Sequence, residues 1–275
     1  MTHCPVGVFD SGLGGLSAVR ELIKLLPQQK IIYLGDTARV PYGTRSEKSI
    51  LRYTSQAIRF FQQKQVRMIL IACGTVSSVA LESLKQESRV PMIGIIEPTV
   101  KQALALTRNR KIGIIATPAT IRSGAFHRAL TAAGGPLQIW EKACPMFVPL
   151  VENGYIDRDD PVAALLIAEY LAPLKQAGID TLILGCTHYP LIAPAIAKFM
   201  GPEVRLVNSG KALANAFAAS LPPLSSGPCE EKESAADQYE FYVSDTAAGF
   251  QQCAQLFLDG DVLNHVEKVD LEAMR

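Results

Sequence analysis

The feature that most constrains this chain is a series of short, bounded apolar runs that is read twice. VGVFDSG, IIYLGDT, MILIACGT and MIGIIEP are separated by segments of helical period, LSAVRELIKLL, SEKSILRYTSQAIRFFQQK and SVALESLKQ. Near-continuous apolar runs alternating with amphipathic helices predict parallel strands joined by crossover helices, with helices covering both faces of the sheet. From Ile112 the pattern begins again with IGIIATP, LQIWEKA, TLILGCTH and VRLVNSG. In each series the first run ends in a polar turn, the third ends on a cysteine, Cys73 or Cys186, and the fourth runs into a polar turn. The expected fold is therefore α/β, with two similar parallel-sheet domains facing each other across a cleft about a pseudo-two-fold axis. Residues 220–238, SLPPLSSGPCEEKESAADQ, read as a loop, after which a strand, YEFYVSD, and a helix, TAAGFQQCAQLFL, return to the first domain. The expected division is 1–98 plus 211–275 for one domain and 99–210 for the other.

Composition narrows the classes of partner. The chain has 275 residues, 48% of them hydrophobic, and its 27 basic and 26 acidic residues leave a net charge of +1. That supplies no field to gather nucleic acid or an anionic membrane, so a small-molecule partner is expected. The N-terminal MTHCPVGVFDSG has no basic leader or apolar core, and no run approaches the roughly 18 apolar residues of a membrane span, so a cytoplasmic location is expected. Six scattered cysteines without a CxxC pair read as reduced thiols. Cys4, Cys144, Cys229 and Cys253 read as small buried apolar residues.

Cys73 and Cys186 differ from these because they share a setting. Ligands of open α/β sheets bind beyond the C-terminal ends of the strands, and both cysteines fall there. Gly74-Thr75 and Thr187-His188 begin or precede helices, whose free N–H groups favour an anion and a thiolate. Cys186-Thr187-His188 taken alone is open to several readings: zinc ligands, a nucleophile with His188 as base, or core. No four-ligand spacing is present for zinc, and a single nucleophile accounts for one cysteine of the two. A two-base reaction accounts for both: one thiolate removes a proton from one face of a carbon while the opposite thiol protonates the other face. A free thiol titrates near ~8.5, and holding it ionised at neutral pH needs roughly 2 kcal/mol of local stabilisation. DSGLGGLS, with Asp36 beyond it, resembles a dinucleotide fingerprint but has Ser17 at the third glycine position, so it reads as a tight turn able to hold a smaller anion. On residue type alone, Asp10, Asp36, Glu152 and His188 are each more often solvated or capping groups than catalysts. Asp10 and Asp36 lie at strand ends, and Glu152, in VPLVENG, could orient His188.

Together VGVFDSGLGGLSAVREL, YLGDTARVPYGTRS, LIACGTVSS, GIIATPATIRSGAFHR, VPLVENG and LGCTHYPLI span nearly the whole chain and resemble the cofactor-independent glutamate racemases of the aspartate/glutamate racemase superfamily. The resemblance implies that Cys73 acts on the D-enantiomer and Cys186 on the L-enantiomer. It gives supporting roles to Asp10, to His188 backed by Glu152, and to the acid Asp36. Asp10-Ser11, Pro41, Tyr42-Gly43, Gly74-Thr75 and Thr187-His188 are the implied substrate contacts, with Thr117 and Thr120 as further contributors. It also implies no cofactor and no metal, a homodimer, and supply of D-glutamate for peptidoglycan. Gly74 departs from the family, which commonly has Asn there; a lost side-chain hydrogen bond is worth ~1 kcal/mol, so the expected effect falls on substrate affinity or preference more than on the two-thiol chemistry. A racemase of another acidic amino acid such as aspartate, or a non-catalytic amino-acid-binding protein, are the alternatives.

Overall fold

The computed structural model describes residues 4–86, 88–221, 238–258, 262–263 and 266–274. Residues 222–237, including Cys229 and most of the expected loop, lie outside the described residues.

The first half runs β1 (Val6–Asp10), α1 (Leu16–Leu25), β2 (Ile31–Gly35), α2 (Glu47–Gln63), β3 (Met68–Ile71), α3 (Gly74–Val79), α4 (Leu81–Lys85) and β4 (Met92–Gly94). The second runs α5 (Ile96–Leu106), β5 (Lys111–Ala116), α6 (Pro118–Ser123), α7 (Ala125–Gly134), β6 (Gln138–Ala143), α8 (Phe147–Glu152), α9 (Pro161–Gln176), β7 (Thr181–Leu184), α10 (Ala193–Met200) and β8 (Arg205–Asn208). Then follow α11 (Ser209–Ser220), β9 (Tyr239–Val243), α12 (Ala247–Ala254) and β10 (Val266–Lys268). All strand pairings are parallel, in two sheets ordered β10-β9-β2-β1-β3-β4 and β6-β5-β7-β8. Within each sheet the four strands of the repeated series take the same order, second-first-third-fourth. The duplication legible in the sequence is thus a duplication of topology.

The apolar runs form strands because both faces are covered: β1 and β2 are buried at every residue. Alternate residues point to different cores. Val6, Val8 and Leu70 share one continuous core with Ile112, Ile114 and Leu182 of the second sheet. Phe9, Ile69 and Ile71 face the other way, under Ile50, Ile58 and Phe61 of α2. Side chains set the starts of two long helices: Ser46 accepts a hydrogen bond from the Ser49 amide, and Asp160 accepts from those of Val162 and Ala163.

Two boundaries and one added strand differ from the sequence reading. MIGIIEP is a strand only to Gly94; Ile96 opens α5, and Pro98 sits in its first turn, where a missing N–H is harmless. The segment SVALESLKQ is split at Ala80 between α3 and α4. The short edge strand β10 carries too little pattern to be read in advance. Cys144 is buried as expected, but Cys4 is exposed and Cys253 only half-buried. Among the described residues, no helix is long and apolar enough to cross a membrane, and no group of three or more His, Cys, Asp or Glu could hold a metal ion.

Candidate active site

Strand geometry puts the two cysteines at matching points. Cys73 lies two residues beyond the end of β3 and caps α3; Cys186 lies two residues beyond the end of β7, ahead of a 3-10 turn, Tyr189–Ile192, that leads into α10. Both are buried and both line one cavity of about 270 Å³ between the two sheets.

The Cys73 side is assembled from the ends of β1 and β3. Ser11 Oγ lies 3.2 Å from Cys73 Sγ, and Asp10, also in the cavity wall, accepts the Gly12 amide at 2.8 Å. Burial pushes the Cys73 thiol up to about 12, and the nearby Asp10 adds to the shift, while hydrogen bonds from Ser11 and Val76 oppose it. Burial likewise raises the Asp10 carboxyl, against the opposing influence of His188 and of the Gly12 and Gly15 amides.

The Cys186 side has an imidazole beside it. His188 Nδ1 lies 3.7 Å from Cys186 Sγ, and His188 Nε2 lies 2.9 Å from Glu152 Oε1, so the carboxylate holds a proton on Nε2 and turns Nδ1 toward the sulfur. Burial opposes the imidazolium, yet the hydrogen bonds to Cys186 and Glu152 outweigh it and raise the His188 pKa to about 10. Glu152 closes α8, a helix whose Val148 and Pro149 also line the cavity.

The halves touch directly at the cavity floor. Thr187 Oγ1 donates to Asp10 Oδ2 at 3.4 Å, and Ser17 Oγ donates to the Thr187 carbonyl at 2.7 Å. Gly14, in the DSGLGGLS turn, leaves room for His188: a Cβ there would lie 2.4 Å from His188 Nδ1. Ser17, which spoils the dinucleotide fingerprint, therefore fastens the turn to the second half.

The remaining candidates divide. Pro41, Tyr42, Gly43, Gly74, Thr75 and Thr117 line the cavity, and Thr117 Oγ1 lies 3.1 Å from Thr75 Oγ1. Thr120 is buried behind Thr117, with the two hydroxyls 3.0 Å apart. Asp36 is fully buried and does not reach the cavity. Its carboxylate accepts from the Tyr42 hydroxyl, from Arg39 Nε at 2.7 Å and from Ser244 Oγ at 2.7 Å. It thus holds Tyr42 from behind. Seven cavity-lining residues were not singled out from the sequence: Gly12, Val40, Thr44, Pro118, Pro145, Val148 and Pro149. For Val148 and Pro149 a signal existed, since they precede Glu152 by four and three positions and so share its helical face.

Known proteins resemble this chain over nearly its whole length. The Asp/Glu/Hydantoin racemase family profile matches residues 13–217. A glutamate racemase from Geobacter metallireducens is 42% identical over 268 residues, 98% of this chain and 97% of its own. The crystal structure of a Francisella tularensis glutamate racemase in complex with D-glutamate superposes with a TM-score of 0.87 at 32% identity, covering 99% of this chain and 100% of that one. For a glutamate racemase isoform from Bacillus anthracis the TM-score is 0.89 at 32% identity, with coverage of 98% and 99%. By profile, by full-length identity and by fold, the chain belongs to the glutamate racemases, within the Asp/Glu/Hydantoin racemase family.

Proposed function

We propose that the chain interconverts L- and D-glutamate by a cofactor-independent two-base mechanism in which Cys186 and Cys73 act on opposite faces of the α-carbon. The observation that carries this reading is the placement of two buried thiols at equivalent strand ends on the wall of one cavity. From L-glutamate, the Cys186 thiolate takes the α-proton, and the C–H electron pair passes onto the α-carbon and into the carboxylate. The Cys73 S–H then delivers its proton to the other face, giving D-glutamate and leaving Cys73 as thiolate; the reverse sequence converts D to L. The high pKa of Cys73 suits it to wait as the thiol donor. His188, oriented by Glu152, is the proton-bearing partner of Cys186, and Asp10 assists on the side of Cys73.

The substrate's charged ends would be held by Ser11, the Tyr42-Gly43 turn, Thr75, Thr117, Thr187 and the α3 N-terminus, which begins at Gly74, with Pro41 shaping the wall and Thr120 supporting Thr117. Asp36 acts through Tyr42 as a positioning residue. We place the enzyme in the cytoplasm as a homodimer of chains divided at 1–98 plus 211–275 and 99–210, supplying D-glutamate for peptidoglycan.

The test is α-hydrogen exchange in D₂O from each glutamate enantiomer, with aspartate enantiomers alongside, for the parent, Cys73→Ala and Cys186→Ala. Each substitution is expected to lower racemisation at least about 10³-fold, since general acid–base groups contribute factors of this order. Each should also leave exchange of the enantiomer whose own cysteine remains. Full racemisation by either variant overturns the scheme, and faster turnover of aspartate overturns the substrate assignment.

A further inference from the structure

Gly74, where the family resemblance implies Asn, lies in the cavity wall at a point where the two halves meet beside the reacting groups. A Cβ built on Gly74 would lie 2.3 Å from the carbonyl oxygen of Gly185 and 3.4 Å from Ile95 Cδ1. Gly74 directly follows Cys73, and Gly185 directly precedes Cys186. The contact is therefore between the immediate neighbours of the two thiols, and it joins backbone to backbone.

Neither partner can retreat. The Gly185 amide donates to the Ile115 carbonyl at 2.8 Å, and a Cβ on Gly185 would meet Phe126 Cε2 at 2.9 Å, the Ile115 carbonyl oxygen at 3.0 Å and Ala116 Cβ at 3.1 Å. On the other side, Gly74 is the first residue of α3 and is fixed between β3 and that helix. A flexible side chain could swing aside, but a carbonyl held in a sheet-to-turn junction cannot.

We propose that Gly74 is a positioning residue that sets the separation of Cys73 and Cys186, its missing Cβ letting the Gly185 carbonyl close against the Cys73 turn. In this chain, direct approach of the two backbones takes the place of a side chain reaching into the cavity. On this reading, Asn at position 74 alters kcat as well as the affinity or preference expected from the sequence, because a side chain there pushes one thiol-bearing turn off the other. The inference rests on the two-cysteine racemase reading.

The experiment compares the parent with Gly74→Ala and Gly74→Asn, and with Gly249→Ala as control, where a Cβ meets nothing nearer than Thr246 Oγ1 at 3.5 Å. Relieving the clash needs a shift of about 1 Å, and a displacement of that size costs on the order of 10²-fold in rate. The expected result is a kcat about 10²-fold lower in both Gly74 variants with KM changed far less, and no change in Gly249→Ala. The diagnostic readout is the ratio of α-hydrogen exchange into recovered substrate to inversion in D₂O. When the thiols are moved apart, removal at one face outlasts delivery at the other, so the ratio rises; loss of folded enzyme leaves it unchanged. A Gly74→Ala enzyme that folds, retains kcat within about two-fold and keeps the parental ratio overturns the proposal. If Gly74→Ala does not fold, Gly74→Ala/Phe126→Leu, which opens space behind Gly185, is read in the same way. Absence of exchange from either enantiomer in the parent would instead overturn the racemase reading itself.

Discussion

Cys73 and Cys186 stand at equivalent points of a duplicated fold, yet their surroundings are chemically opposite. Cys73 meets a hydroxyl and a buried carboxyl, and its proton is held tightly, with a pKa of about 12. Cys186 meets an imidazole whose pKa is about 10, backed by a carboxylate. The shared backbone places two thiols on the wall of one cavity; the unshared side chains give each a different setting, which under the proposed mechanism divides the giving of a proton from the taking of one. A racemase needs the first property to invert a centre and the second to begin.

Thermodynamics limits how this asymmetry can show. The enantiomers are of equal free energy, so kcat/KM must be equal in the two directions for every variant, and differences between the sides appear in exchange and in the separate kcat and KM values. Replacing His188 by Asn strikes the Cys186 side hardest. The expected loss is about 10²-fold or more in kcat/KM in both directions, within the range of general acid–base groups, while α-exchange of D-glutamate in D₂O persists. Exchange of D-glutamate falling in step with inversion would show that the two sides do not work separately. Ser11→Ala is the milder break on the other side. It removes the hydroxyl 3.2 Å from Cys73 Sγ, and at ~1 kcal/mol for such a hydrogen bond the racemisation rate should fall about five-fold, measured by circular dichroism of the amino acid.

A further expected effect is on stability at alkaline pH. His188 is raised from 6.5 to about 10, so the folded state holds that proton more tightly than the unfolded chain does; the resulting stability is fully present below pH 6.5 and is lost as pH rises to about 10. Cys73, raised from 9.0 to about 12, loses its contribution in a higher window, between those two values. Thermal melting across pH should therefore show His188→Asn flattening the lower window and Cys73→Ala the upper one. Interchanged windows would reverse the assignment of the two environments.

Much of this arrangement was legible in the sequence because a duplicated series leaves the same mark twice. ILIACGT and LILGCTH announce two cysteines at matching strand ends before any contact is known. What was not legible depends on contacts between distant parts of the chain. Asp36 reads as a strand-end acid, but Ser244, which fixes it from behind, lies 208 positions away. Gly74 reads as a missing side chain; the oxygen that requires the absence belongs to Gly185, in the other half. The Cys186–His188–Glu152 row was half legible, since the Cys and His are two residues apart while Glu152 arrives from another helix.

The pairing of β9 with β2 has a consequence for how the molecule is made. Ile31 lies beside Tyr239 and Gly35 beside Val243, so β2 emerges from the ribosome long before its outer neighbour. Until synthesis reaches β9, a nascent chain carries β2 as an open sheet edge, the kind of edge that recruits other strands. Over the same interval Asp36 lacks Ser244, and the Tyr42 loop lacks that part of its anchor. The Tyr42 side of the cavity thus waits for part of its support until Ser244, 208 positions beyond Asp36, has been made.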